Sequence, residues 1–196
     1  MNILIVYDSR LGSVQKMARL IARGVESLDG CDAVVRTVPS VSIKATDNDT
    51  LPEFGDMFVS EDDLKKCDAL ILGSPTRFGN MSASMKFFLD STSSLWMSGS
   101  LSGKPAAVFT SSSSMHGGQE STLLSMLNPL LHHGMLICGL PFTEHALSKT
   151  TTGGTPYGAS HVAGSANNNP ISDDEKALCI ALGKRVAGFA KALKLS

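Results

Sequence analysis

The chain carries short apolar runs that alternate with segments of helical spacing, and this alternation constrains the fold more than any other feature. The runs are Ile3–Tyr7, Ala69–Gly73, Ala106–Thr110 and Met135–Cys138, and Cys31–Val38 reads as a further strand. Continuous apolar runs are typical of parallel strands that are covered on both faces. Right-handed crossovers between such strands favour the order 2-1-3-4-5. The sequence therefore predicts an α/β fold with a doubly wound, five-stranded parallel sheet and helices on both faces.

The segment 139–171, between the last predicted strand and the last predicted helix, shows no firm period. Gly, Thr, Ser and Asn dominate it, and loops of this length within a compact domain are uncommon and often functional. The last helix begins at a capping box formed by Ser172 and Glu175. We expect a single domain over residues 1–196, with a long loop insertion at about 139–171.

The composition is that of a globular protein without a general affinity for polyanions. The 196 residues are 42% apolar and 18% charged, with a formal net charge of −1. Such a balance gives no general attraction to nucleic acid or to an anionic membrane. No apolar run approaches the roughly 20 residues that cross a bilayer, and the N-terminus does not resemble a secretory signal. We therefore expect a cytoplasmic protein with no nucleic-acid or membrane partner.

The four cysteines, Cys31, Cys67, Cys138 and Cys179, lie far apart in the sequence and form no CxxC pair. Zinc-ligand spacing is also absent. We expect buried, reduced thiols and no metal site.

The loop after the first strand has the composition of an anion site. Ser9 and Ser13 offer hydroxyl donors, Gly12 permits a tight turn, and a helix with one apolar face begins at Val14. Helix N-termini bind phosphate through free N–H groups and the helix dipole. The patterns GxGxxG and GxxxxGK[ST] are missing, which argues against the dinucleotide and P-loop sites. This loop suits a single phosphomonoester, and a plain turn capped by Ser13 is the alternative.

Two further loops follow strands at the same edge of the predicted sheet. Pro75–Gly79 combines a hydroxyl, a cation and an aromatic ring at Thr76, Arg77 and Phe78. Ser111–Gly118 has few large side chains, so its N–H groups can approach a flat ligand. An ordinary turn and a mobile linker are the alternatives for these loops. A ligand with a phosphate tail and a flat polar ring satisfies all three loops, and FMN has this shape.

Among the candidate residues there is no Ser, His and Asp in the order of a hydrolase triad, and there is no pair of carboxylates for acid–base catalysis. Their absence fits hydride transfer, in which stacking and alignment matter more than proton transfer. The only tryptophan, Trp96, lies in a segment rich in Ser and Gly. A core position and a pocket wall both remain open for it.

Five segments resemble the WrbA-type NAD(P)H:quinone oxidoreductases, relatives of flavodoxin. They are SPTRFGNM at 74–81, LWMSG at 95–99, GGQES at 117–121, HHGM at 132–135 and GGTPYGA at 153–159. They occur in the family order, at nearly the family spacing, over essentially the whole chain. Together they are far more specific than the phosphate loop alone.

The resemblance implies a flavodoxin-like fold, one FMN per subunit, a homotetramer built as a dimer of dimers, and two-electron reduction of quinones by NADH or NADPH. The flavin would carry the reaction, with no catalytic side chain, and the 139–171 segment would complete sites across subunit contacts. The implied substrate contacts are Leu11, Trp96, His132 and, from a neighbouring subunit, Phe142. The implied cofactor contacts are Ser9, Arg10, Leu11, Gly12, Ser13, Val14, Pro75, Thr76, Arg77, Phe78, Gly79, Ser111, Ser112, Ser113, Ser114, Gly117 and His132.

The chain departs from the family pattern at four places. The family more often has Tyr where Asp8, Leu11 and Phe142 stand, and a shorter Gly- and Thr-rich loop in place of SSSSMHGG. We expect the stacking of substrates to differ accordingly.

Other functions remain open beside the quinone reductase. One is a flavodoxin-like electron carrier that does not use NAD(P)H, although such carriers are usually strongly acidic and this chain has a net charge of −1. Another is a flavin-free scaffold with a decayed site. A phosphorylated signalling domain would need an aspartate at the end of the third strand, where Ser74 stands.

Overall fold

The computed structural model describes residues 1–41 and 55–194, in which one parallel sheet lies between two layers of helices. The strands are β1 (Asn2–Tyr7), β2 (Asp32–Thr37), β3 (Ala69–Pro75), β4 (Pro105–Ser112), β5 (Leu136–Ile137) and β6 (Ala159–Val162). The helices are α1 (Ser13–Glu26), α2 (Glu61–Lys66), α3 (Ala83–Asp90), α4 (Ser93–Met97), α5 (Gln119–His132), α6 (His145–Lys149) and α7 (Asp173–Lys194). The order β2-β1-β3-β4-β5 confirms the predicted topology.

Alternate side chains of β1 enter two different hydrophobic cores. Ile3 and Ile5 pack with residues of α1 and α7, whereas Leu4 and Val6 pack with residues of α3 and α5. Full burial of such a side chain stabilises the fold by about 1.5–3 kcal/mol. Both faces of the strand therefore require apolar residues, which explains the continuous apolar runs of the sequence.

Two strands share the fifth position of the sheet. β5 pairs with Pro105–Ala106 at the start of β4, and β6 pairs with Phe109–Ser112 at its end. The described sheet therefore has six strands rather than the five predicted. The chain leaves the sheet after β5 and returns as β6, and a hydrogen bond of 2.9 Å from the Leu140 N–H to the Pro156 carbonyl closes the base of this excursion.

The expectation that 139–171 lacks regular structure is wrong for α6 and β6. β6 does not read as a strand because its central residues, Ser160 and His161, are polar, yet both are buried and hydrogen-bonded. The segment around Trp96, which is rich in Ser and Gly, contains the short helix α4. Residues 39–60 show no clear period and read as a surface loop in the sequence, and most of this stretch lies outside the described residues.

All four cysteines are buried free thiols, as the sequence predicted. Burial raises the pKa of Cys67 to about 11, so this thiol is protonated at neutral pH. Within residues 1–41 and 55–194, no helix is long and apolar enough to span a membrane. The same residues contain no group of three or more His, Cys, Asp or Glu side chains that could hold a metal ion.

Candidate functional site

The loops that follow β1, β3, β4 and β6 meet at one edge of the sheet and enclose a cleft of about 340 Å³. Small-molecule sites typically have volumes of about 300–1,000 Å³. Three of these loops are the ones that the sequence predicted, and the fourth follows β6. The cleft is lined by Ser9, Arg10, Leu11, Ser13, Val14, Pro75, Thr76, Arg77, Ser111, Ser112, Ser113, Ala163, Gly164, Ser165 and Asn167.

The first loop presents free N–H groups at the start of α1. Gly12 is the N-cap of this helix, has a φ of 86° and provides no side-chain cap. Ser9 Oγ accepts a hydrogen bond from the Gln15 N–H at 3.3 Å. The N–H groups of Ser13 and Val14 have no partner among the described residues. Because the N-terminal end of a helix is partially positive, these groups favour an anion.

A polar network fixes the two elements that flank this loop. The Tyr7 hydroxyl, at the end of β1, donates to Asp56 at 2.8 Å and accepts from Gln15 Nε2 at 2.9 Å. Arg19 Nη2 donates to both carboxylate oxygens of Asp56, at 2.6 and 2.7 Å. Burial raises the pKa of Tyr7 to about 12, and the hydrogen bond to Asp56 adds to the rise. The protonated hydroxyl therefore ties β1 to α1 at neutral pH.

The charged side chains of the described cleft lining are Arg10 and Arg77. Arg10 is exposed and has no hydrogen-bond or ion-pair partner within residues 1–41 and 55–194. Arg77 Nη1 donates to the Thr76 carbonyl at 2.8 Å. Asp8 precedes the first loop but is not among the lining residues. The cleft is therefore electropositive and suits an anionic ligand.

The second loop is a tight hairpin with a strained aromatic residue at its tip. Arg77 and Asn80 exchange two backbone hydrogen bonds, of 2.8 and 3.0 Å. Between them, Phe78 and Gly79 have φ values of 53° and 73°. Two positive φ angles are characteristic of type I′ turns, in which Asn-Gly is the preferred pair. Phenylalanine rarely adopts this conformation, and the Phe78 ring is fully exposed. Strain of this kind is typical of functional sites.

Phe78→Asn is expected to raise the free energy of unfolding of the ligand-free protein by about 1 kcal/mol, because asparagine tolerates a left-handed backbone. Urea unfolding measures this change. Phe87, an exposed aromatic residue of α3, provides the control. Phe87→Asn is not expected to stabilise the protein, since the helical backbone gives asparagine no advantage. An unchanged stability of Phe78→Asn would contradict the strain at this turn.

The third loop is braced against the second. The Thr76 N–H donates to the Ser111 carbonyl at 3.0 Å, and the hydroxyl oxygens of Thr76 and Thr122 lie 2.6 Å apart. Ser112 Oγ donates to the Ser114 carbonyl at 2.7 Å. The Thr76 hydroxyl therefore holds two loops together and is not a free donor.

Several predicted contacts lie outside the described lining of the cleft. Gly12, Phe78, Gly79, Ser114 and Gly117 belong to the three loops, and Trp96, His132 and Phe142 belong to other segments. Their contacts with a ligand stay a prediction.

Trp96 and the two histidines of the HHGM segment form a separate cluster. Trp96 is 49% exposed, and its Nε1–H donates to the carbonyl oxygen of His132 at 2.8 Å. The His132 side chain is exposed, whereas the ring of His133 is buried with Nε2 2.9 Å from Thr92 Oγ1. Thr92 donates its own proton to the Leu89 carbonyl, so His133 Nε2 is the donor of the pair. Burial lowers the pKa of His133, and His132 lowers it further. A neutral ring thus fixes the end of α5 against α4.

The sequence reasoning missed the fourth loop, which follows β6. Ala163, Gly164, Ser165 and Asn167 of this loop line the cleft. A usable signal was present in the sequence. The apolar residues Val162 and Ala163 are followed by the polar segment GSANNN, which resembles the other transitions from a strand to a polar loop.

A buried carboxylate anchors β6 and thereby the fourth loop. Glu175 accepts hydrogen bonds from the N–H groups of Gly153, Val162 and Ser172 at 2.8, 3.0 and 2.8 Å. His161 Nδ1 lies 2.9 Å from the same carboxylate. Burial alone would raise the pKa of Glu175, but the hydrogen bonds from His161 and the three N–H groups outweigh it and lower the pKa to about 2. The carboxylate is therefore ionised at neutral pH.

Residues 1–142 match the family described as NADPH-dependent FMN reductase. The chain belongs to this family. It is 46% identical to a protein named NAD(P)H dehydrogenase (quinone) from Syntrophobacter fumaroxidans, with 98% of both chains covered. A protein of the same name from Geotalea daltonii is 41% identical over 100% of both chains.

Solved structures confirm the flavodoxin-like α/β fold. The flavodoxin, WrbA-like protein from Agrobacterium tumefaciens superposes with a TM-score of 0.67 at 26% identity, covering 97% of this chain and 98% of that one. Oxidised flavodoxin 1 from Bacillus cereus gives a TM-score of 0.61 at 18% identity, covering 96% and 98% of the two chains.

Proposed function

We propose that this chain is an FMN-dependent NAD(P)H:quinone oxidoreductase that reduces quinones by two electrons. The observation that carries the proposal is the electropositive cleft, in which the free N–H groups of α1 face loops suited to a flat ring. Relatives that match the whole chain and are named NAD(P)H dehydrogenase (quinone) support the same activity.

The donor set of the cleft fits FMN. The N–H groups of Ser13 and Val14, together with the unpaired Arg10, suit the charged phosphate. Arg77 and the backbone of the Ser111–Gly117 loop suit the polar edge of the ring. When bound, FMN supplies the two-electron chemistry between a nicotinamide and a quinone.

The side chains of this protein bind, orient and stabilise charge. Arg77 would hold the polar edge of the ring and would stabilise negative charge there, because an electrostatic contact of this kind strengthens as charge develops. Leu11, which is 67% exposed, and Trp96 offer apolar surfaces on which substrates stack. Phe142, which is 66% exposed, would reach this space from a neighbouring subunit.

Proton transfer by side chains of the cleft plays no part in the proposed mechanism. The described lining contains no His, Asp, Glu, Cys, Lys or Tyr. The remaining contribution of the cleft is the alignment of the two reactants, which suits hydride transfer.

We further propose a cytoplasmic homotetramer, assembled as a dimer of dimers. Large apolar side chains are exposed on three neighbouring helices, at Phe87 of α3, Trp96 and Met97 of α4, and Leu131 of α5. Several such residues on adjacent elements are typical of an interaction surface. The free cysteines support a reducing compartment.

The flavodoxin-like electron carrier is the second candidate. It would use the same flavodoxin-like fold and the same cleft. Its weak point is the net charge of −1, since docking on redox partners usually relies on strong acidic patches.

Reconstitution with FMN tests the proposed function. The protein with FMN is expected to show a perturbed flavin absorption spectrum, to be bleached by NADH or NADPH, and to recover its absorption when benzoquinone is added. Bound FMN that stays oxidised with both nicotinamides would support the electron carrier instead. A protein that binds no flavin at micromolar concentration would support the flavin-free scaffold.

A further inference from the structure

Asn167 joins the fourth loop to the first through both ends of its side-chain amide. Its Nδ2 donates to the Leu11 carbonyl at 3.0 Å, and its Oδ1 accepts from the Ser13 hydroxyl at 2.8 Å. Only this orientation of the amide satisfies both partners, because a carbonyl oxygen can only accept. The two contacted residues stand on either side of Gly12, the N-cap of α1. One side chain therefore fixes the segment that carries the free N–H groups.

The backbone of the fourth loop is built to present this side chain. Asn167 has a φ of 53°, a left-handed conformation that asparagine adopts more readily than most residues. Its N–H donates to the Gly164 carbonyl at 3.0 Å, and the Asn169 N–H donates to the Ala163 carbonyl at 3.0 Å. The Ala163 N–H continues the sheet by donating to the Ser112 carbonyl at 2.8 Å. The loop is thus a closed turn that extends directly from β6.

We propose that Asn167 is a positioning residue for the phosphate end of the cleft. The proposal rests on the proposed function, because the phosphate in question is that of FMN. The bond to the Leu11 carbonyl fixes the plane of the peptide between Leu11 and Gly12, and with it the direction of the Gly12 N–H. Asn167 thereby orients the backbone donors before the ligand binds, which reduces the cost of ordering them on binding.

The hydrogen bond between Ser13 and Asn167 determines which group of Ser13 contacts the phosphate. A serine hydroxyl has one proton, and that of Ser13 is engaged with Asn167. In this arrangement Ser13 contributes its backbone N–H to the phosphate, and its hydroxyl acts through Asn167. Arg10 and the Ser9 hydroxyl, both in the cleft lining, complete the donor set.

Asn167→Gly tests the positioning role, because glycine accepts the left-handed backbone without strain while both hydrogen bonds are lost. The dissociation constant of the flavin-free protein for FMN, measured by quenching of flavin fluorescence, is expected to rise about tenfold. The constant for riboflavin, which lacks the phosphate, is expected to change by less than about twofold. Asn168→Gly is the matched control, since Asn168 is the exposed neighbour in the same loop. This substitution is expected to leave both dissociation constants unchanged.

Ser13→Ala distinguishes the indirect role of this hydroxyl from a direct one. In the wild-type background it is expected to weaken FMN binding less than Asn167→Gly does. In the Asn167→Gly background it is expected to have a smaller effect, because the hydrogen bond between the two side chains is already lost. A Ser13→Ala effect of the same size in both backgrounds would overturn the proposal that its hydroxyl acts through Asn167.

The outcomes separate this inference from the function on which it rests. Equal FMN affinities of the wild type and Asn167→Gly, or parallel losses for FMN and riboflavin, would overturn the positioning role and leave the quinone reductase standing. A wild type that binds no FMN would overturn the proposed function and the positioning role together.

Discussion

Gly12→Val is expected to abolish FMN binding while the chain stays folded. Gly12 has a φ of 86°, and a β-branched residue in this left-handed region is strained by about 1–2 kcal/mol. A Cβ at this position would meet no atom within 4 Å, so the substitution causes no clash in the core. We expect this strain to rotate the neighbouring peptides and to turn the N–H groups of the first helical turn away from the cleft.

The expected loss is large because the phosphate is bound by charge-assisted hydrogen bonds. Two such bonds contribute about 3–6 kcal/mol, so their loss raises the dissociation constant for FMN by at least about a hundredfold. Titration by flavin fluorescence measures the binding, and circular dichroism with thermal unfolding verifies that the variant is folded.

Gly30→Val is the matched control for backbone strain. Gly30 has a φ of 77°, and a Cβ at this position would also meet no atom within 4 Å. It lies between α1 and β2, at the edge of the sheet opposite the cleft. This variant is expected to lose similar stability but to keep the FMN affinity of the wild type. FMN binding by Gly12→Val at wild-type strength would mean that the phosphate is bound elsewhere.

The sheet and three walls of the cleft could be predicted because their causes are local. β1 is buried from Ile3 to Tyr7, and β3 and β4 are buried throughout, so the central positions of these strands are apolar on both faces. Parallel strands end at one edge, which places the loops that follow them side by side. The convergence of these loops follows from strand order alone.

β6, and with it the fourth wall, was missed because the polar residues of this strand are satisfied by partners outside the strand. Ser160 is buried since its Oγ accepts from the Gly154 N–H at 2.7 Å, and His161 is buried against Glu175. Similarly, the contact between Ser13 and Asn167 joins residues 154 positions apart. A capping box at Ser172 was visible in the sequence, but the further donors that surround Glu175 were not.

The strained tip of the second loop was also invisible to pattern reasoning. The sequence identified Phe78 and Gly79 as parts of a turn, but residue type alone favours Asn-Gly for two positive φ angles. The exposed ring and its left-handed backbone emerge only from the two hydrogen bonds between Arg77 and Asn80. The backbone of Phe78 therefore differs from the conformation that its residue type prefers, as is common at functional sites.

Glu175→Gln is expected to lower the free energy of unfolding at pH 7 by about 3 kcal/mol. The buried carboxylate accepts from three N–H groups and from His161. A glutamine amide has one oxygen, and its NH₂ group would face donors that it cannot accept from. Urea unfolding of the two proteins measures the difference.

The difference between the wild type and Glu175→Gln is expected to shrink in acid. The carboxyl has a pKa of about 2 in the folded protein, against an ordinary value of 4.5. Because the folded pKa is lowered, the ionised group stabilises the fold above the ordinary value, and this stabilisation is lost as the pH falls toward 2. The shift corresponds to about 3 kcal/mol, so unfolding at pH 3 should show a clearly smaller gap than at pH 7.

Asp173→Asn provides the control, because it removes the same charge from the same end of α7. The Asp173 side chain is 98% exposed and pairs with Lys176 at 2.9 Å. Exposed pairs of this kind contribute about 0–1 kcal/mol, so the variant is expected to be nearly as stable as the wild type at either pH. A loss in Glu175→Gln no larger than this would contradict the anchoring of β6 by the buried carboxylate. A large loss confined to Glu175→Gln would instead show that this carboxylate stabilises the fourth wall. Val162, one of the donors to the carboxylate, directly precedes the loop that lines the cleft.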